Sequence, residues 1–110
     1  MTKVGIIRCM QTEDLCPGTT DFKCAATGKG VFEEIGPVEI VGFANCGGCP
    51  GKKAVGRAKL LIERGAEAII LASCISKGTP LGFPCPMYMP MKQAIVKHIK
   101  PEVKVYDYTH

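Results

Sequence analysis

Three apolar runs, set apart by helix-sized stretches and each closed by a cysteine, constrain this chain more than any other feature. Val4-Gly5-Ile6-Ile7 leads to Cys9, Val38 to Ala44 leads to Cys46, and Ala68 to Ser73 leads to Cys74. Near-continuous apolar runs are what strands of a parallel sheet, buried on both faces, require. If all three lie in one such sheet, their thiols emerge together at its carboxyl edge, where open α/β sheets bind ligands. Neighbouring strands are about 4.8 Å apart, so three consecutive strand ends span about 10 Å. That is within reach of converging side chains.

The stretches between the runs read as helices. Thr19 or Thr20 is suited to cap a short helix over 21–29, which carries Phe22, Ala25 and Ala26 and is interrupted by Gly28 and Gly30. Gly36-Pro37 breaks the chain before the second run. A second helix begins at Pro50 or Gly51, shows an apolar face of Val55, Ala58, Leu61 and Ile62, and ends at Gly65. Residues 75–89 hold Pro80, Pro84 and Pro86 without regular periodicity, and a loop of that length in a small domain is usually functional. We expect it to fold over the carboxyl edge and carry Cys85 toward Cys46 and Cys49. Pro90 suits the first turn of a third helix with Met91, Ala94, Ile95 and Ile99 on one face. Pro101 ends it, and Val103 to Tyr106 is a fourth strand. The expected architecture is one three-layer α/β/α domain over residues 1–110. Its four-stranded parallel sheet has the order 2-1-3-4, as in a Rossmann-like or flavodoxin-like half.

Composition excludes several classes. The chain has 110 residues, 46% of them hydrophobic and 22% charged, the balance of a globular protein. No stretch approaches the ~20 apolar residues of a membrane span. Met1-Thr2-Lys3 runs straight into the first strand, which leaves no room for a signal peptide, so the expected location is the cytoplasm. There, clustered thiols bind metal or do redox work more often than they form disulfides. The net charge of +4 is mild and scattered, and gives no argument for nucleic acid.

The seven cysteines carry the chemistry. A thiolate is anionic and polarizable, and both Zn²⁺ and iron–sulfur clusters accept four of them in tetrahedral arrangement. Cys46-Gly47-Gly48-Cys49 supplies a short chelate arm whose glycines can take positive φ and turn both sulfurs to one point. The second arm comes from Cys74 and Cys85, or from Cys9. Cysteine precedes proline at Cys16, Cys49 and Cys85, an arrangement common beside iron–sulfur ligands. The packing alternative weighs most for Cys24, which sits inside a short amphipathic helix, and evenly for Cys16. His98 reads as a packed or half-exposed residue. His110 is in a region usually loose, from which it can still swing back as a ligand.

Other motifs fall short. Gly47 to Lys53 resembles a phosphate-binding P-loop, but that loop needs four residues between its glycines and Ser or Thr after the lysine. A small anion near Lys52 and Lys53 is still compatible with a helix N-terminus. Those two cations oppose the helix dipole, at about 0.3–1 kcal/mol each where exposed. Their alternatives are a solvated helix face or compensation of a thiolate cluster. Cys-x-x-Cys also has thioredoxin-like spacing, though no hairpin follows the helix.

Ile6-Ile7-Arg8-Cys9, Glu13-Asp14-Leu15-Cys16-Pro17-Gly18, Cys46 to Lys53, and Ala72-Ser73-Cys74-Ile75 together resemble the CGGC domain family. The similarity runs through nearly the whole chain, to Thr109-His110. It implies a small, cysteine-rich prokaryotic protein for which metal binding, often zinc, is suggested by its Cys and His residues. It implies Cys9, Cys16, Cys46, Cys49, Cys74 and Cys85 as family positions. Met87 stands where members often carry histidine, so the chain departs from the pattern there.

The expected function is metal binding by a thiolate cluster, with zinc ahead of an iron–sulfur cluster because four sulfurs suffice. The alternative is a thiol–disulfide or persulfide redox enzyme. In it Cys46 or Cys49 attacks, activated by the helix N-terminus and Lys52, and Cys9 or Cys74 resolves. A third is a scaffold whose cysteines staple loops. No carboxylate pair, Ser/His/Asp set or dinucleotide fingerprint names a substrate.

Overall fold

The first run forms β1 (Thr2–Arg8), with Val4 through Arg8 all buried, as a strand covered on both faces must be. This is a computed structural model, and it describes residues 1–12, 15–49, 51–78, 82 and 84–110. Glu13 and Asp14 of the first cysteine motif, Pro50 as a helix start, and residues 79–81 and 83 of the proline-rich loop lie outside the described residues. The second run forms β2 (Val38–Asn45), the third β3 (Ala68–Leu71) and the last β4 (Lys104–Tyr106). All pairings are parallel, and the strand order is β2-β1-β3-β4, as the sequence predicts. β1 is therefore central. Its register with β2 shifts between Val4 and Gly5, leaving Val41 as the extra residue.

Helices surround the sheet. They are α1 (Thr19–Thr27), α2 (Val31–Ile35), α3 (Lys53–Glu63), α4 (Ser73–Ser76) and α5 (Tyr88–His98). α3 lies over β1, β2 and β3 and also packs on α5. Strand alternation sorts the two faces. Gly5 and Gly42 turn to α3, where a Cβ added at either would meet the Leu61 side chain. Their neighbours in sequence face the other way. Phe43 stacks there against Phe22 of α1, with ring centroids 5.0 Å apart, and the Arg8 guanidinium lies 5.6 Å from the Phe43 ring centre. The result is three layers, with a core dominated by Ile6, Ile7, Ile69, Ile70, Leu71, Phe32, Ile75 and Ile95.

Three local expectations change. α1 is capped by Gly18 in the left-handed conformation, with no threonine side-chain bond. The third strand stops at Leu71 rather than Ser73, because the chain turns at Ala72 into the short helix α4. Cys74 thus sits in a helical turn, not at a strand end. Between α1 and β2 the second short helix, α2, buries Val31 and Phe32.

Candidate functional site

The carboxyl edge is built from three strand exits and one returning loop. After β1 the chain forms a 3-10 turn, Met10–Thr12. Thr12 is fully buried; its N–H and its hydroxyl both donate to the Cys9 carbonyl, at 3.2 and 2.8 Å. Cys16 is then anchored by its own N–H to the Thr12 carbonyl at 2.8 Å.

After β2 the Cys46 N–H donates to the Arg8 carbonyl at 2.8 Å, which extends the sheet by one bond and sets Cys46 beside the end of β1. Gly47 and Gly48 both have positive φ, 81° and 96°, a conformation glycine adopts without penalty. The Asn45 side-chain oxygen accepts the Gly47 N–H at 2.8 Å and an Arg57 guanidinium N–H, so α3 grips the turn from behind. Lys52 and Lys53 stand at the start of α3 with their side chains exposed.

After β3 the Ala72 N–H donates to the Ile7 carbonyl at 2.9 Å. The proline-rich segment comes back to this edge: the Cys85 N–H donates to the Ile75 carbonyl at 2.8 Å, and α5 begins three residues later.

These elements enclose two neighbouring cavities. The first is lined by Cys9, Cys46, Cys49 and Cys85, with the thioethers of Met10, Met87 and Met91 around them. It leaves room for about one water-sized body. Cys9 and Cys46 are buried, Cys85 is half-buried and Cys49 is exposed. The second cavity is lined by Cys16 and Cys74 together with Arg8, Thr12, Asp21 and His110. The Cys9 N–H, donating to Cys74 Sγ at 3.2 Å, lies between the two. Among the described residues no three His, Cys, Asp or Glu side chains converge at metal-binding distance. The six candidate cysteines thus divide four and two. Cys24, half-buried on α1, packs against the core.

Burial dominates the electrostatics. It pushes the Cys9 thiol above its ordinary value; a backbone hydrogen bond at Gln11 pulls it down, and the neighbouring Cys46, Cys74 and Cys85 push it up further. Cys74 is likewise raised by burial, against the hydrogen bond from the Cys9 N–H. Both are neutral thiols near pH 7.

The chain matches the family model for the CGGC domain over residues 3–110. It belongs to the CGGC domain family. Its relatives include the uncharacterized protein MJ0582 of Methanocaldococcus jannaschii, 44% identical over 78 residues. That match covers 66% of this chain and 61% of the relative, so the chain spans about three fifths of the relative's length. No solved structure matches it. In this CGGC domain the tetrad itself, Cys46 to Cys49, forms one wall of the first cavity, and no helix among the described residues is long and apolar enough to cross a membrane.

Several site residues of the CGGC chain escape a reading by motif. Met10, Met87 and Met91 look like loop or core residues, and only the fold gathers them. Asp21, Ser73 and Thr109 form a buried hydrogen-bonded group: Thr109 Oγ1 donates to Asp21, and Ser73 Oγ accepts the N–H groups of Thr109 and His110, each at 3.0 Å. The segment expected to be loose is thereby tied down, and His110 is held at the second cavity. His98 is exposed, and its Nδ1 pairs with the Ala94 carbonyl at 2.9 Å.

Proposed function

We propose that this CGGC domain binds a single soft metal ion through Cys9, Cys46, Cys49 and Cys85, with zinc as the metal. The observation that carries the reading is the first cavity, which four thiols from three separate segments line together with thioethers and without a carboxylate or imidazole. Such a donor set selects Zn²⁺, Cu(I) or iron–sulfur rather than hard cations. Room for about one water-sized body suits an ion better than a cluster. Cys49 and Cys85, the two least buried of the four, would have to rotate inward to complete the set. Lys52 and Lys53 would offset the negative charge of four thiolates, or receive a small anion. Cys16 and Cys74, also candidates by sequence, line the second cavity and would take no part. All seven cysteines are free thiols, which suits the reducing cytoplasm.

Metal analysis and a visible spectrum of anaerobically purified protein test the reading. The expected result is a colourless protein with about one zinc per chain. Replacing Cys46 and Cys49 together by Ser should then remove both metal retention and part of the thermal stability, since site formation is partly folding. Because burial keeps Cys9 protonated, uptake should release protons and retention should strengthen as pH rises. A brown protein absorbing near ~400 nm would replace the ion by an iron–sulfur cluster.

The exposed Cys49 next to the buried Cys46 favours one other reading, a dithiol redox pair. Metal-free protein that is fully stable as isolated and alkylates rapidly at these two thiols would establish that reading instead.

A further inference from the structure

The second cavity gives its two cysteines polar company, and Cys74 packs in the core as well. A packing cysteine has apolar neighbours, whereas Cys16 and Cys74 share their cavity with Arg8, Thr12, Asp21 and His110. Arg8, Thr12 and Asp21 are themselves buried. Thr12 is common to both: its carbonyl holds the Cys16 N–H at 2.8 Å, and it lines the cavity beside Cys74. The two thiols differ in access. Cys16 is half-buried, and Cys74 is 9% exposed. A molecule arriving from solvent meets Cys16 first, while Cys74 is placed to meet a partner already inside.

We propose that Cys16 and Cys74 form a second thiol site, separate from the four-cysteine cavity, whose substrate is a low-molecular-weight disulfide. The Cys16 thiolate attacks one sulfur of the substrate, RSSR. The substrate S–S bond breaks, a Cys16–SR mixed disulfide forms, and RS⁻ leaves, taking up the proton that Cys16 lost. Cys74 then attacks the Cys16 sulfur, forming the Cys16–Cys74 disulfide and expelling the second RS⁻, which takes the proton from Cys74. Two protein thiols are oxidised and one disulfide is reduced to two thiols. The His110 imidazole lines the same cavity, with Nε2 3.7 Å from an Asp21 oxygen.

The test treats the reduced, anaerobically purified full chain with glutathione disulfide and maps the product by non-reducing trypsin digestion. Trypsin releases Cys16 in peptide 9–23 and Cys74 in peptide 65–77. The expected product joins these two peptides, with fragmentation placing the bond on Cys16. Cys16→Ser should abolish the join and slow release of the first glutathione thiol about tenfold or more. Cys74→Ala can disturb a buried position, so the half-buried Cys16→Ser carries the test, with a thermal melt to confirm its fold. The double variant Cys46→Ser/Cys49→Ser should still form the Cys16–Cys74 bond, which makes this result independent of metal binding. A join that persists in Cys16→Ser, oxidation confined to Cys46 and Cys49, or the absence of any protein disulfide would each overturn the proposal.

Discussion

Asn45 does more for the candidate site than its position beside the cysteines suggests. Its side-chain oxygen accepts from Gly47 at 2.8 Å and from Arg57, and Arg57 also donates to the Asn45 carbonyl at 2.9 Å. One amide thus fixes the turn between Cys46 and Cys49 to the body of α3. The turn itself is tight: at Gly47, φ is 81° and a Cβ would lie 2.6 Å from the Lys53 Cβ. Loss of the acceptor leaves the half-buried Gly47 N–H and the Arg57 guanidinium without it. Asn45→Ala should therefore cost about 1–2 kcal/mol in urea unfolding. Asn45→Asp keeps an acceptor and adds charge opposite Arg57, so it should retain most of that stability. Equal losses in the two variants would mean that the amide shape, rather than its acceptor, holds the turn.

At the scale of elements, α3 sits close on the sheet because two glycines leave space for one leucine. A Cβ at Gly5 would lie 2.8 to 3.1 Å from three atoms of Leu61, the Leu61 Cβ among them, and one at Gly42 would lie 2.3 Å from Leu61 Cδ2. The end of a leucine can rotate away from Gly42. Its Cβ cannot leave Gly5 without moving the helix. Gly5→Ala should thus destabilise by about 1–3 kcal/mol through overpacking. Leu61→Ala alone should cost about 2–5 kcal/mol through the cavity it leaves. The pair should cost less than the sum, because each change relieves the other. Strict additivity in thermal or urea melts would show that the two positions do not share this contact. Since α3 also carries Arg57, a shift of the helix would reach the cysteine turn.

For the molecule as a whole, α5 is tied to the segment after β4 by Tyr88, Lys92 and Asp107. The Tyr88 hydroxyl donates to Asp107, and Lys92 Nζ lies 3.0 Å from the same oxygen. The hydrogen bond from Tyr88 and the charge of Lys92 hold the Asp107 carboxyl below its usual 3.8, and the same hydrogen bond pushes Tyr88 up to about 12. A depressed carboxyl stabilises the fold above its unfolded value, and that stability is lost as pH falls through the folded one. A raised phenol stabilises below its unfolded value of 10.0, and that stability is lost as pH rises toward about 12. Tyr88→Phe should accordingly cost about 1 kcal/mol at neutral pH, allowing for solvent screening. The difference from the native chain should narrow below pH 3.8 and above pH 10 in a pH series of melts. A difference constant across pH would mean that the tie contributes through packing alone.

The strands, their order and the edge at which Cys9 and Cys46 emerge were legible in the sequence. Buried parallel strands demand apolar runs, and crossovers of helix length leave few ways to join them. The expected approach of Cys85 to Cys46 and Cys49 is seen at Cys85 itself, which lines their cavity. What the sequence by itself could not determine was how the thiols are shared out. That depended on a strand ending two residues early at Leu71, so that α4 turns Cys74 behind the Cys9 amide and into the company of Cys16. It depended equally on Met10, Met87 and Met91, distant in sequence, closing around the other four. Periodicity records which face of an element is apolar; which side chains share a cavity is fixed only when all the elements are packed against one another.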